Sequence, residues 1–260
     1  MRWLERLRPR REPPRDAMAE ARAASDAGDY AAALALWGPL AHAGVARAQN
    51  NIGACFSEGL GVARDPELAV KWLTLAASGG DPTGRRNLAT AYFKGLGVEA
   101  DPARAAELYR QAAEQGDGPA QDMLSWMLLE GEPTPADIAE AHRWALAAAE
   151  NGVATAMTRL GTFYHDAIGV ERDASAAVEW WRRGAALGDA DAEALLGAAL
   201  YLGRGAPLER VEALVLLLKA ERGGSTLAAR YIVAARAALT PDEIAEAESR
   251  AQREFSGSPP

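Results

Sequence analysis

Three histidines, one cysteine and three lysines are a thin stock from which to build a catalytic centre. His42, His142 and His165 have no partner at metal-ligand spacing. Lys71, Lys94 and Lys219 follow no glycine loop of the phosphate-cradling kind. The chain has no Gly-x-Ser-x-Gly elbow and no Ser-x-x-Lys pair, so serine-based acyl transfer has no signature here. Cys55 stands beside Phe56 with no basic neighbour to lower its pKa, which fits a small packed thiol better than a nucleophile. The expectation is a protein with no catalytic residues, no metal and no cofactor. The residue types that remain suit binding. Asn51, Arg86, Asn87 and Lys94 together could hold a peptide carboxylate or an acidic segment. The plainer alternative for each of them is a solvated helix face.

The elements that must position these residues come from a repeat. Gly44, Gly80, Gly116, Gly152, Gly188 and Gly224 fall 36 residues apart without a slip. Ile52, Leu88, Leu124, Leu160, Leu196 and Ile232 keep the same step. So do Ala69, Ala105, Ala141, Ala177 and Ala213, and so do Trp72, Leu108, Trp144, Trp180 and Leu216. Each unit reads as two helices. In the first, Ala48, Ile52 and Phe56 make one apolar stripe on helix A, over roughly 46–57. The loop Gly59-Leu60-Gly61-Val62 permits positive φ, and Asp65-Pro66 offers an N-cap and a first-turn proline. Helix B then carries Ala69, Trp72, Leu73 and Ala76 inward until Gly79-Gly80 stops it. The small register at Ala69 predicts close helix contact. The large register at Trp72 is expected to fill the gap between successive hairpins, which places Trp72, Trp144 and Trp180 in the core.

The predicted organisation is a basic leader over 1–15, a partial repeat over 16–44, five complete repeats over 45–224, and a half repeat with a capping helix over 225–255. Thr240-Pro241-Asp242-Glu243 is a capping box for that last helix. Residues 256–260 are expected to be a disordered tail. Net charge is −8; the first fifteen residues hold six Arg and two Glu, which leaves −12 on the rest. An acidic body argues against nucleic acid as partner. The leader places Trp3, Leu4 and Leu7 on one side among arginines. It reads either as a floppy basic segment or as a contact for an acidic partner or membrane surface. No apolar run approaches the length of a membrane span, and no secretory signal or disulfide framework is present. A cytoplasmic location is expected.

The order Leu160-Gly161, Tyr164, Gly169-Val170, Asp173, Ala177, Trp180, Ala185 and Gly188 resembles the Sel-one-like repeat family, a branch of the tetratricopeptide-like superfamily. The third unit departs, with Gly131-Glu132-Pro133-Thr134 in place of the glycine loop, and the fifth has Gly203-Arg204-Gly205-Ala206. The resemblance covers roughly 29–254. It implies an all-α, right-handed solenoid whose A helices line a concave groove, and an adaptor that holds a peptide or protein. On that analogy Asn51, Arg86, Asn87, Phe93, Lys94, Trp126, Arg159, His165 and Tyr201 face the groove. Trp126 stands alone as a bulky residue in a register otherwise filled by Ala54, Thr90, Thr162 and Ala198. It either packs against the altered third loop or serves as an exposed anchor. Labels within the wider family also suggest a hydrolase of β-lactam or cell-wall substrates, which no motif supports. A purely structural subunit of a larger assembly is the third reading.

The Ala141 register is small in every hairpin, so Ala141→Trp is expected to destabilise the protein by ~1–3 kcal/mol. Chemical denaturation followed by circular dichroism measures this. An unchanged midpoint would show that the residue is not in a helix-helix contact.

Overall fold

A computed structural model describes residues 16–256. The basic leader over 1–15 and most of the expected tail lie outside the described residues. The described residues form fourteen α-helices and no strand. They divide into two compact units, with the boundary between Gln111 and Ala112. The first unit holds α1 (Ala17–Asp26), α2 (Tyr30–His42), α3 (Ala46–Glu58), α4 (Pro66–Ser78) and α5 (Pro82–Lys94). The boundary falls within α6 (Pro102–Glu114). The second unit holds α7 (Gly118–Glu130), α8 (Ile138–Glu150), α9 (Ala154–Asp166), α10 (Ala174–Ala186), α11 (Ala190–Leu202), α12 (Arg210–Arg222), α13 (Ala229–Ala237) and α14 (Pro241–Ser256). Odd-numbered helices are the A helices of successive hairpins and even-numbered ones the B helices. This is the all-α hairpin-repeat class that the sequence predicts.

The caps are those the repeat supplies. The Asp65 carboxylate accepts from the Leu68 amide at 2.9 Å, and Asp81 accepts from Gly84 at 2.7 Å. Asp137 and Asp189 do the same for Glu140 and Ala192. Each satisfies a first-turn donor that the helix cannot. The A helices end in the left-handed conformation at Gly59, Gly95, Gly131, Ala167 and Gly203. The next glycine of the loop serves another purpose. A Cβ on Gly97 would run into the Pro66 carbonyl, and one on Gly205 into the Ala174 carbonyl. The loop after each of these A helices therefore lies against the start of the preceding B helix, and only glycine lets it come that close.

Within a hairpin, a small residue on the A helix faces a large one on the B helix. A Cβ on Gly53 would lie 2.8 Å from Leu73 Cγ, and one on Gly197 would lie 3.0 Å from Leu217 Cγ. A Cβ on Gly161 would collide with the Trp181 indole. The alanine register completes the contact: Ala33, Ala105, Ala141, Ala177 and Ala213 are fully buried and Ala69 nearly so. The tryptophan expectation needs correction. Trp72, Trp144 and Trp180 are only half-buried. Trp72 meets His42 edge to face at 5.5 Å, Trp144 donates to Glu140, and Trp180 lies under the Arg183 guanidinium. The deep position is the next residue along, where Trp37, Leu73, Tyr109 and Trp181 are all less than 5% exposed. Helix geometry explains the difference, since one residue turns a side chain by about 100°. The three tryptophans therefore sit on the flank of the buried stripe, while the smaller Leu108 and Leu216 of the same register are buried.

The final hairpin is rebuilt as a cap. α12 is apolar nearly all round, with Leu214, Val215, Leu216, Leu217 and Leu218 all buried. Ala247 and Ala251 of α14 share its core cluster. Thr240 starts α14 with the predicted capping box: its amide donates to Glu243 Oε2 at 2.8 Å, and the Glu243 amide returns to Thr240 Oγ1 at 3.4 Å. In the second unit His142 packs edge to face against Phe163 and Tyr164, and burial pushes its pKa below the usual histidine range. Burial likewise raises the Cys55 thiol, away from the reactive range.

Two glycine-to-alanine changes within helices should have opposite signs. Gly38, in α2, has nothing within 4 Å of an added Cβ. Gly38→Ala is expected to stabilise by ~0.5–1 kcal/mol through helix propensity alone. Gly161→Ala is expected to destabilise by ~1–3 kcal/mol, because the Trp181 ring has to move. Urea titration of the two variants measures both. Shifts of the same sign would show that the small-large pairing is not what sets the hairpin spacing.

Candidate functional site

Helices α3 and α5 in the first unit, and α7, α9 and α11 in the second, carry polar side chains that bond between repeats. They join successive repeats. In the first unit Asn87 of α5 donates to Asn50 Oδ1 at 2.8 Å, and Asn50 donates to Asn51 Oδ1 at 3.2 Å. Arg47 of α3 pairs with the Asp81 carboxylate at 2.6 Å. In the second unit Asp122 occupies the register of Asn50, two repeats on. Its Oδ2 accepts from Thr155 at 2.6 Å, and its Oδ1 accepts from Arg159 Nη2 at 3.1 Å and Nε at 3.3 Å. Thr158 then donates to Asp189 at 2.8 Å. Asn50 and Asp122 are both buried, so an unmade bond at either would cost the desolvation of that group. A second set uses the residue before: Gln49 and Gln121 donate to the carbonyls of Ala41 and Ala113 near the C-terminus of the preceding B helix, which also accept the Gly44 and Gly116 amides.

Two cavities open among these helices. In the first unit one of about 730 Å³ lies among α1, α2 and α3, with Tyr30, Trp37, Cys55, Leu60 and Asn51 on its walls. In the second, one of about 360 Å³ is walled by Leu129 of α7, Thr155, Thr158, Arg159 and Thr162 of α9, and Asp191 and Leu195 of α11. Asp189, which caps α11, and Leu227, ahead of α13, complete it.

The structure distributes the expected groove residues unevenly. Asn51 and Asn87 come together through Asn50, and Arg159 reaches the second cavity while paired to Asp122. Arg86 is half-buried near Tyr109, whose hydroxyl shares a 2.9 Å hydrogen bond with Thr90; burial raises the Tyr109 pKa, against lowering by that bond and by the Arg86 charge. Lys94 is exposed in the last turn of α5, where a cation complements the helix dipole. Phe93 is half-buried in the first unit and Trp126 in the second. Tyr201 packs against the core clusters on either side of α11. His165 is exposed, bonded to Asp166 at 2.7 Å and tilted against Trp181 at 5.4 Å. Sequence reasoning missed Thr155, Asp189 and Asp191. Asp189 repeats the capping aspartates of the other hairpins, and that role concealed a second one. No His, Cys, Asp or Glu group suited to a metal occurs among the described residues. No helix among them is long and apolar enough to cross a membrane.

Hairpins of constant length, glycine loops and an A-helix polar ladder define a helical-repeat protein. The Sel1 repeat family matches five consecutive segments, 46–81, 82–117, 118–153, 154–189 and 190–225, and the chain belongs to that family. A Sel1 repeat protein from Oxalobacter formigenes is 27% identical, with 91% of this chain and 97% of that one covered and a TM-score of 0.80. The c5321 antigen of uropathogenic Escherichia coli shares the fold at 22% identity, over 92% of this chain and 68% of that one, with a TM-score of 0.56. No curated protein matches the chain. The Sel1 repeat fold is generally a protein-protein interaction scaffold and not typically enzymatic.

Asp122→Ala should destabilise the protein by ~1.5–3 kcal/mol, since it removes charged hydrogen bonds and leaves the Arg159 guanidinium, only 19% exposed, without its partner. The midpoint shift in urea should persist in high salt because the pair is largely buried. A shift below 0.5 kcal/mol, about the size of a neutral surface change, would remove the ladder as a coupling element.

Proposed function

We propose that the protein is a cytoplasmic, non-enzymatic adaptor that holds an extended segment of a partner protein against its A helices. The observation that carries this reading is the second-unit cavity, because three successive A helices and the approach to a fourth contribute to one concave site. The site combines leucine walls with fixed polar groups, the mixture expected of a recognition pocket. Its side chains are held by inter-repeat bonds before any partner arrives, which lowers the ordering cost of binding. Trp126, Tyr201 and His165, also in the second unit, would extend the contact. Acyl or phosphoryl transfer gains no support, since among the described residues the hydroxyls beside carboxylates serve caps and inter-repeat bonds and none is paired with a histidine or lysine base.

The test starts with affinity capture from the native cell and identification of the partner by mass spectrometry. Calorimetric titration then compares Leu195→Ala and Trp126→Ala, on the A side, with Leu187→Ala at the C-cap of a B helix, where Leu187 is 55% exposed. At least one A-side change is expected to weaken binding by ~2 kcal/mol or more, the level of an interface hot spot, with Leu187→Ala near neutral. The opposite pattern would make the B-helix side the interface and the protein a structural subunit.

A further inference from the structure

We infer that the second-unit cavity receives the side chain of a lysine or arginine from the partner segment. This deepens the adaptor reading and rests on it. The cavity is rich in hydrogen-bond acceptors and poor in donors. Each threonine hydroxyl uses its single proton within the protein: Thr155 on Asp122, Thr158 on Asp189, and Thr162 on the Thr158 carbonyl at 3.2 Å. What these hydroxyls can still offer are lone pairs. Asp189 takes both its bonds, from Ala192 and Thr158, on Oδ1. Asp191 takes its bond from Ser225, at 2.5 Å, also on Oδ1. Neither carboxylate has a cationic partner among the described residues. Arg159, the one cation on the wall, is matched by Asp122. The positive end of α11 offsets part of this negative charge but lies behind the carboxylates it supports. An occupant has to supply positive charge and donors, and a carboxylate in this place would meet repulsion from Asp189 and Asp191.

The apolar wall fixes the rest of the occupant. Leu129, Leu195 and Leu227 line the same cavity of about 360 Å³. A bare metal ion or a small amine would leave those surfaces wet. Lysine and arginine cover apolar surface with their methylene stems while the charged head reaches polar groups beyond. A basic side chain on an extended segment fits both halves of the site.

Selection of random linear peptides displayed on phage against the full chain tests this, followed by fluorescence anisotropy with the synthesised peptides. Selected peptides are expected to carry a Lys or Arg whose replacement by Met weakens binding roughly threefold to tenfold, most at low salt, since Asp191 is exposed and Asp189 half-buried. Asp189→Asn with Asp191→Asn should weaken the cationic peptide by a similar factor and erase its advantage over the Met peptide. Asn keeps the cap on α11. Thr162→Lys, which supplies an internal cation, should block the same peptides and serves if the double variant unfolds. Peptides blocked by Leu195→Arg but indifferent to their own cation, to the Asn pair and to Thr162→Lys would overturn the inference and leave the adaptor reading standing. Peptides unaffected by Leu195→Arg, or no enrichment at all, would count against both.

Discussion

The close approach of the two helices in each hairpin is the constraint from which the rest follows. Burial of the alanine register and the glycines at 53, 161 and 197 bring the helix backbones close together. One hairpin so built is still too thin to enclose its own apolar stripe, so it has to lie against the next. Constant spacing then demands constant length. The glycine loops sit against the start of the preceding B helix, and an inserted residue would displace that contact. The same spacing repeats the A helices at a fixed interval. A side chain in one can thus reach a residue 33 or 37 positions along, as Asp122 reaches Thr155 and Arg159.

The polar ladder therefore has a structural role before it has a binding one. Asn87 and Arg159 were singled out by sequence as donors for a partner, and each uses hydrogen bonds on the preceding repeat. Such residues can still shape a binding surface, because a side chain held by two bonds is ordered in the free protein. On the proposed reading, recognition would fall on groups whose hydrogen-bonding capacity the protein leaves unfilled. In the second unit those are the outer oxygens of Asp189 and Asp191, beside the apolar faces of three leucines.

How far the sequence is legible follows the strength of each signal. Helices, caps and the hairpin period are visible because they recur with the same residue types: Asp65, Asp81 and Asp137 all cap as their spacing predicts. The deep core is harder to read, because Trp37, Leu73, Tyr109 and Trp181 differ in size. No one residue type fills that position in every unit, whereas the half-buried tryptophans at 72, 144 and 180 recur and attract notice. The cavity was hardest of all. It is assembled from Leu129, Thr158, Asp191 and Leu227, which come from four helices or their approaches, and where its residues share a register, as Thr155, Asp191 and Leu227 do, they differ in type. A repeat pattern shows what every unit has in common, and a binding site is made where units differ.

Hydrogen-deuterium exchange of the protein with and without its captured partner measures the central claim most directly. The account predicts added protection confined to A-helix segments, above all 154–166 and 190–202, with the B-helix segment 174–186 unchanged. Protection concentrated on 174–186 and the other B helices, with the A helices unchanged, would contradict it.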